Sequence, residues 1–345
     1  MASESLQPSA NGGPRVLVAG ASGFTGALAA HLLWRHPDFE LVMLTARSQP
    51  GRRLDELYPR YRVPLPLQEL DLDRAAEAAD AAIVAYPHAA AAPTVAALRE
   101  RGLRVVDLSA DYRLSSLASY EHWYGEHPRP ELMAEAVYGL TELHRDEIAS
   151  ATLIANPGCY PTASLLALAP LARAGLIADV VIDAKQGISG AGRVFDESTH
   201  LSMAGENIVP YKVAAHRHTP EIEEQLALVG APGLRVQFQA HLVAIDQGEQ
   251  VSCYVTPARA LARDELRELY TDAYSREPFV EVVDGPPGVR EVRETNFCRV
   301  FATFDEHTGK VLAFSSIDNL WKGTSSQALQ NLNLMFGLPE TRGLL

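Results

Sequence analysis

The chain has 345 residues, enough for two domains with separate cores, and its 47% apolar and 21% charged content is that of an ordinary folded globular protein. A net charge of −13 disfavours nonspecific affinity for nucleic acid or an anionic membrane, while local cations could still hold an anionic small substrate. Three cysteines with no C-x-x-C pair argue against a disulfide framework and a cysteine zinc site; no metal is expected, and the setting is read as reducing and cytoplasmic.

Residues 1–14 are polar and rich in Ser, Gly and Asn, which reads as a flexible tail rather than a signal peptide. The Ala-rich stretch from Ala75 to Leu98 is broken by Asp80, Pro87, His88 and Pro93, so it cannot be a spanning helix. Arg15 to Gly20 is a short Val-rich run, read as a buried strand. It passes into Gly20-Ala21-Ser22-Gly23-Phe24-Thr25-Gly26 and then into the helical pattern Leu28, Leu32, Leu33. A glycine turn between strand and helix is the setting of a dinucleotide site, where the turn lets a pyrophosphate approach the helix N–H groups; the spacing is a variant of G-x-G-x-x-G. The second strand, Glu40 to Thr45, runs into Thr45-Ala46-Arg47-Ser48 rather than an acidic residue. A guanidinium beside two hydroxyls suits a ribose 2′-phosphate, hence NADP; the plainer reading of Arg47 is a solvated loop cation.

Strands over Ala81–Tyr86 and Leu103–Leu108, with a helix over Ala91–Arg101 between them, predict a Rossmann-type, doubly wound parallel sheet. Arg113 follows the second of these at the carboxyl edge, where open α/β sheets bind ligands; its alternative is a salt bridge to Asp107 or Asp111. Next comes Asn156-Pro157-Gly158-Cys159-Tyr160-Pro161-Thr162, ahead of an apolar-periodic run to Leu171. Cys159 therefore falls in the first turn of a helix, where free N–H groups and the macrodipole favour a thiolate; the bland reading is a small buried hydrophobe. Cys253 and Cys298 sit in strand-like apolar contexts and read as core. Strands over Asp179–Lys185, Leu234–Ile245, Glu249–Pro257, Phe279–Val283, Asn296–Phe304 and Val311–Ile317 predict an α+β second domain with a mixed or antiparallel sheet, and helical periodicity returns over Ser325–Met335. His216 and His218 precede Thr219-Pro220-Glu221, read as an N-cap with Pro at the first helical position; were that segment extended, both imidazoles would point the same way.

Six segments together resemble the motifs of the N-acetyl-γ-glutamyl-phosphate reductases, relatives of the aspartate-semialdehyde dehydrogenases. They are Gly20–Gly26, Asp107–Leu114, Asn156–Thr162, Gly187–Arg193, His216–Glu221 and Ile317–Thr324, in the family's order and covering essentially the whole chain. The resemblance implies NADPH-dependent reduction of an acyl phosphate to a semialdehyde in arginine biosynthesis, by a homodimer or homotetramer. It implies a cofactor domain over 15–158 completed by 320–345, and a catalytic domain over 159–319. Cys159 would be the nucleophile and His216, ahead of His218, the acid/base. Gly20, Ser22, Gly23, Phe24, Thr25, Gly26, Thr45, Arg47, Ser48, Ser189, Gly190 and Asn319 would face the cofactor, and Arg113, Asn156 and Glu221 the substrate. Two departures stand out: Pro87-His88-Ala89 where the family commonly has Pro-His-Gly, and Gln247-Gly248 where it usually has Arg-Gly. Losing that arginine bears on acyl specificity. The alternatives are a lysine-biosynthesis reductase acting on a carrier-bound aminoadipyl phosphate, whose relatives tend to have Asn-Ala in place of Tyr160-Pro161 and whose acidic carrier would need a basic surface, and a non-catalytic nucleotide-binding Rossmann protein.

Overall fold

The computed structural model describes residues 12–193 and 197–345, so nearly all of the tail expected over residues 1–14 lies outside the described residues. Two compact units result: the chain up to Pro157 together with Thr324–Leu345, and Gly158–Gly323.

The first unit opens with β1 (Arg15–Ala19), α1 (Phe24–Trp34), β2 (Glu40–Thr45), the short α2 (Leu54–Leu57), β3 (Leu67–Gln68) and α3 (Leu72–Ala78). It continues through β4 (Ala81–Val84), α4 (Ala92–Glu100), β5 (Arg104–Asp107), α5 (Leu117–Tyr124), β6 (Val137–Tyr138), α6 (Thr141–Ser150) and β7 (Leu153–Ala155). Every neighbouring pair is parallel, in the order β3-β2-β1-β4-β5-β7-β6. Central strands of such a sheet are covered on both faces, which is why β4 is buried at all four positions and reads as an unbroken apolar run. Leu17, Ala19, Ala82, Val84, Val95, Leu98 and Val105 form the core on one face. The strand order reverses between β1 and β4, and the crevice at their carboxyl ends is where this architecture takes ligands.

The second unit begins with α7 (Cys159–Arg173) and β8 (Ile177–Gly187), followed by α8 (Leu201–Ala204), β9 (Ile208–Tyr211), α9 (Thr219–Val229), β10 (Val236–Val243), β11 (Glu249–Pro257), α10 (Arg263–Tyr274), β12 (Val280–Val282), β13 (Cys298–Asp305) and β14 (Lys310–Ile317). Its sheet has the order β12-β13-β14-β11-β8-β10-β9 and is mixed, with β8–β10 and β12–β13 parallel and the other pairs antiparallel. α7 is buried from Tyr160 to Ala172 and packs on β11, β13 and β14, with α9 and α10 beside it. Three hydroxyls pin it: Ser315 donates to the Ala163 carbonyl at 2.7 Å, and Tyr270 and Tyr274 to those of Ala167 and Leu166 at 2.5 Å. A helix held along its length gives its first residue a fixed position.

After Gly323 the chain re-enters the first unit as α11 (Ser326–Met335), buried although rich in amides. Those amides replace missing partners in the parallel unit. Asn331 donates to the Gly139 carbonyl at 2.7 Å and to the Asn156 side-chain carbonyl at 3.0 Å, and it accepts from the Thr141 hydroxyl at 2.9 Å. Gln330 donates to Glu340 at 2.8 Å. Asn331→Leu keeps the volume, leaves the Gly139 carbonyl to Gln327 at 3.1 Å and orphans the Asn156 carbonyl and the Thr141 hydroxyl proton; at about 1–3 kcal/mol for each buried orphan, urea denaturation should show a loss of roughly 2–6 kcal/mol. A loss below about 1 kcal/mol would mean that the amide network does not hold α11 in place.

Candidate active site

In the first unit the glycine turn forms as its sequence requires. Gly20 has φ +92° and lies so close to β4's exit that a Cβ would come within 2.5 Å of the Ala85 carbonyl; at Gly26 a Cβ would come within 2.3 Å of the Gly20 carbonyl. The N-cap of α1 is Gly23, whose lack of a side chain leaves the first turn of the helix without a capping side chain. Ser22 reaches the Ser48 hydroxyl at 3.2 Å, joining the turn to the end of β2. Arg47 is exposed, lies 4.7 Å over the Tyr86 ring and donates to the Ala90 carbonyl at 3.3 Å. It lines a pocket of about 500 Å³ with Glu69, Leu70, Tyr86, Pro93 and Thr94. Thr45, expected beside Arg47, is fully buried: its carbonyl accepts from the Gly20 and Ala21 N–H groups, and its hydroxyl does not reach the surface. As the last residue of a central strand, Thr45 turns inward and braces the glycine turn. A tight glycine turn, an uncapped helix start and a pocket holding a cation over an aromatic ring fit a phosphorylated dinucleotide.

The loop after β5 is organised by buried acids. Asp111 accepts from the Ala89 and Ala92 N–H groups at 2.7 and 2.8 Å and from the Tyr120 hydroxyl at 2.8 Å. Ala89 occupies left-handed backbone, φ +61°, which explains why a glycine suits this position. Asp107 holds the Ser109 N–H and hydroxyl at 3.0 and 2.6 Å, and burial, with Asp111 nearby, pushes its carboxyl up to about 7. Arg113 is buried and donates through Nε to the Asn156 carbonyl at 2.8 Å and through Nη2 to the Leu108 carbonyl at 2.9 Å, so its orientation is set by backbone. Asn156, expected at the substrate, is fully buried. Its amide donates to the Thr324 carbonyl at 3.1 Å and accepts from Asn331 at 3.0 Å.

In the second unit Cys159 is the first residue of α7, as its sequence position predicts, and is half-buried. Gln186 of β8 donates to its sulfur at 2.9 Å. Gly190 and Gly323 leave room for that pair, since a Cβ on Gly190 would meet the Gln186 amide at 2.2 Å and one on Gly323 would meet the Cys159 Cβ at 2.8 Å. Glu221, also expected at the substrate, is buried on α9 and accepts from the Gly158 N–H at 2.9 Å, one residue before the thiol. Ser189 donates to the Asp246 carbonyl at 2.7 Å and accepts from Asn319 at 3.1 Å, while Asn319 accepts from the Gly248 N–H at 2.8 Å. The segment over Gly187–Arg193 is thereby tied down in part rather than open.

The expected thiolate is not favoured in this structure. Burial, together with the carboxyl of Glu249, pushes the Cys159 thiol well above its ordinary range, outweighing the Tyr160 N–H and the Gln186 amide that favour the anion. Glu249 opens β11 directly opposite Gln186 of β8 and is fully buried. Desolvation, with Asp318 nearby, raises its carboxyl to about 8.

The histidines are brought together, by a turn rather than a strand. His218 has helical dihedrals and is itself the N-cap of α9, so Thr219, with Pro220 after it, lies inside the helix; the sequence boundary is corrected by one residue. The His218 N–H donates to His216 Nδ1 at 3.2 Å, and the two rings meet with centroids 4.9 Å apart. Tyr160 is edge-on to both, at 5.4 and 5.8 Å. Burial, with the cations of Lys212 and Arg217 nearby, pushes His216 down to about 3, so the ring is neutral near pH 7. With Nδ1 accepting from that backbone N–H, the neutral ring carries its proton on Nε2.

Sequence reasoning missed Gln186, Glu249 and the Tyr211 hydroxyl, which donates to Tyr160 at 3.2 Å. For Gln186 and Glu249 the signal was a polar residue on an apolar strand beside a glycine, at Gln186-Gly187 and Gly248-Glu249.

Residues 15–151 match the family described as semialdehyde dehydrogenase, NAD binding domain, and residues 159–319 the family described as semialdehyde dehydrogenase, dimerisation domain. The chain is 47% identical over 340 residues to the N-acetyl-gamma-glutamyl-phosphate reductase of Desulforudis audaxviator, covering 96% of this chain and 98% of that protein. It is 44% identical over 338 residues to the protein of that name from Pelotomaculum thermopropionicum, covering 96% and 97%. Among solved structures it is similar to aspartate semialdehyde dehydrogenase II of Vibrio cholerae, with a TM-score of 0.72 at 17% identity, covering 94% of this chain and 98% of that one. The aspartate semialdehyde dehydrogenase of Candida albicans, solved with NADP, gives a TM-score of 0.71 at 16% identity over 94% and 98%. These two show a shared fold. Identity above 40% across nearly the full length shows more: the chain belongs to the N-acetyl-gamma-glutamyl-phosphate reductase family, within the semialdehyde dehydrogenases.

Proposed function

We propose that this chain reduces N-acetyl-γ-glutamyl phosphate to N-acetylglutamate semialdehyde and phosphate, with NADPH as reductant. The observation that carries this reading is Cys159 at the start of α7 with the Gln186 amide on its sulfur, in a chain 47% identical to a relative of that name. Cys159 attacks the acyl carbon, phosphate leaves with the electron pair, and a thioester remains. The Gln186 amide steadies the sulfur whenever it carries negative charge. His216, neutral with Nε2–H free to donate by tautomer, stabilises the oxyanion, and His218 holds that tautomer through its own N–H. Arg113 is proposed to hold the leaving phosphate, its fork pre-oriented by two backbone carbonyls.

A bound nicotinamide supplies the hydride. Gly20, Ser22, Gly23, Phe24, Thr25 and Gly26 are proposed to cradle its pyrophosphate, Arg47 and Ser48 to hold a 2′-phosphate, and Ser189, Gly190 and Asn319 to line the nicotinamide end. Arg47 above Tyr86 supports NADP over NAD, because it offers a cation where an NAD site would place a carboxylate. A homo-oligomer is proposed as well. Val181 and Tyr254 are register partners on the β8–β11 pair and each is 38% exposed, an apolar spot on a unit that matches a dimerisation domain.

Three measurements test this reading. With NADP⁺ and phosphate, N-acetylglutamate semialdehyde should be oxidised with kcat/KM more than about tenfold above that of aspartate semialdehyde, because the latter lacks contacts for an acetamide. Equal turnover would sink the substrate assignment and leave the thioester chemistry standing. Cys159→Ser should abolish turnover while NADP⁺ binding stays intact; more than about a tenth of the activity surviving would contradict a covalent mechanism. Arg47→Ala should weaken NADPH binding about tenfold or more and leave NADH nearly unchanged, measured by fluorescence titration. Equal losses would mean that Arg47 does not read a 2′-phosphate.

A further inference from the structure

The pocket of about 500 Å³ in the first unit holds more than Arg47. Its walls come from the carboxyl ends of three strands. Arg47 follows β2, Glu69 and Leu70 follow β3, and Tyr86 follows β4, while α4 closes one side through Ala97. The glycine turn leaves β1, which pairs with both β2 and β4, so turn and pocket share one end of the sheet.

Three features say what such a pocket takes. Leu70, Leu72 and Ala97 give it apolar surface. Arg47 covers the Tyr86 ring at 4.7 Å and so presents the outer face of a flat guanidinium, a plane on which a heteroaromatic ring stacks well. Glu69 is exposed, and among the described residues its carboxylate has no ion pair and no hydrogen bond. Arg47 lines the same pocket, yet donates to the Ala90 carbonyl instead. A stacking plane beside an unengaged acceptor calls for a flat ring with N–H groups on its edge. A phosphate would be repelled by Glu69, whereas adenine brings a 6-amino donor to it.

We infer that Glu69 is a specificity-determining residue for the cofactor: it accepts a hydrogen bond from the 6-amino group of adenine, which stacks on the Arg47 guanidinium. The inference rests on the cofactor reading proposed above and extends it from the sugar to the base. The edge of the same guanidinium stays available to a 2′-phosphate, because stacking uses its face and hydrogen bonding its rim. Glu69 also turns away a 6-oxo purine, whose carbonyl oxygen would meet the carboxylate acceptor to acceptor. With a carboxylate beside its cation, the pocket reads a base and is not a general anion site.

The test measures binding rather than turnover: calorimetric titration of the full chain with NADP⁺, with its 6-oxo (hypoxanthine) analogue and with NAD⁺, alongside thermal melts. Wild type should prefer NADP⁺ to the 6-oxo analogue by about tenfold or more, the scale of one hydrogen bond to a charged group. Glu69→Ala should melt like the wild type, since the side chain is exposed, and should bring those two ligands within about threefold by weakening NADP⁺. Glu69→Gln should bind the 6-oxo analogue more tightly than wild type does, because an amide can donate to the new carbonyl. A preference that survives Glu69→Ala, or a wild type without one, would overturn the inference. So would a Glu69→Ala loss confined to NAD⁺, which would put the carboxylate at a ribose hydroxyl. Failure of the parent reading looks different: a wild type that binds neither NADP⁺ nor NAD⁺ removes the cofactor site itself, and this inference with it.

Discussion

The carboxylate of Glu221 on α9 accepts a hydrogen bond from the Gly158 N–H, and that contact fixes where α7 begins. A helix start leaves its first N–H groups without intrahelical partners, so an anion there satisfies a donor and complements the dipole at once. With the start fixed and the body pinned by Ser315, Tyr270 and Tyr274, Cys159 has one position available. Gln186 and Gly323 are then shaped around it, since neither close approach to Cys159 would survive a shift of α7 by a fraction of a turn.

The electrostatics around the thiol run against a simple activated cysteine. The helix N-terminus and the Gln186 amide favour the anion, yet burial and Glu249 outweigh them. His216 is held neutral for a related reason: burial and the nearby cations of Lys212 and Arg217 make a charged ring costly.

Much of this architecture was legible in the chain, because unbroken apolar strands alternating with helical periodicity leave few alternatives to a parallel sheet. The glycine turn and the position of Cys159 were legible for the same reason, each being fixed by backbone geometry that few residues allow. Thr45, Asn156 and Glu221, read as ligand contacts, are buried and hydrogen-bonded to the chain around them, and a motif alone does not tell a contact from its support. Gln186 was invisible because it meets Cys159 only where β8 runs back past the start of α7, a contact between two elements that periodicity does not encode.

The first unit is discontinuous: its parallel sheet is encoded before Pro157, while α11 arrives only after Gly323. During synthesis the ribosome therefore exposes Gly139, Thr141 and Asn156 long before Asn331 exists to satisfy them. The middle segment has its whole sheet and α7 in one continuous stretch and can consolidate first, although it is translated second. The sheet that begins the chain must wait as an incompletely packed intermediate for its last helix, and that interval is when it depends most on chaperones. A premature stop anywhere before α11 would thus leave the nucleotide-binding half unfinished, even with all seven of its strands already made.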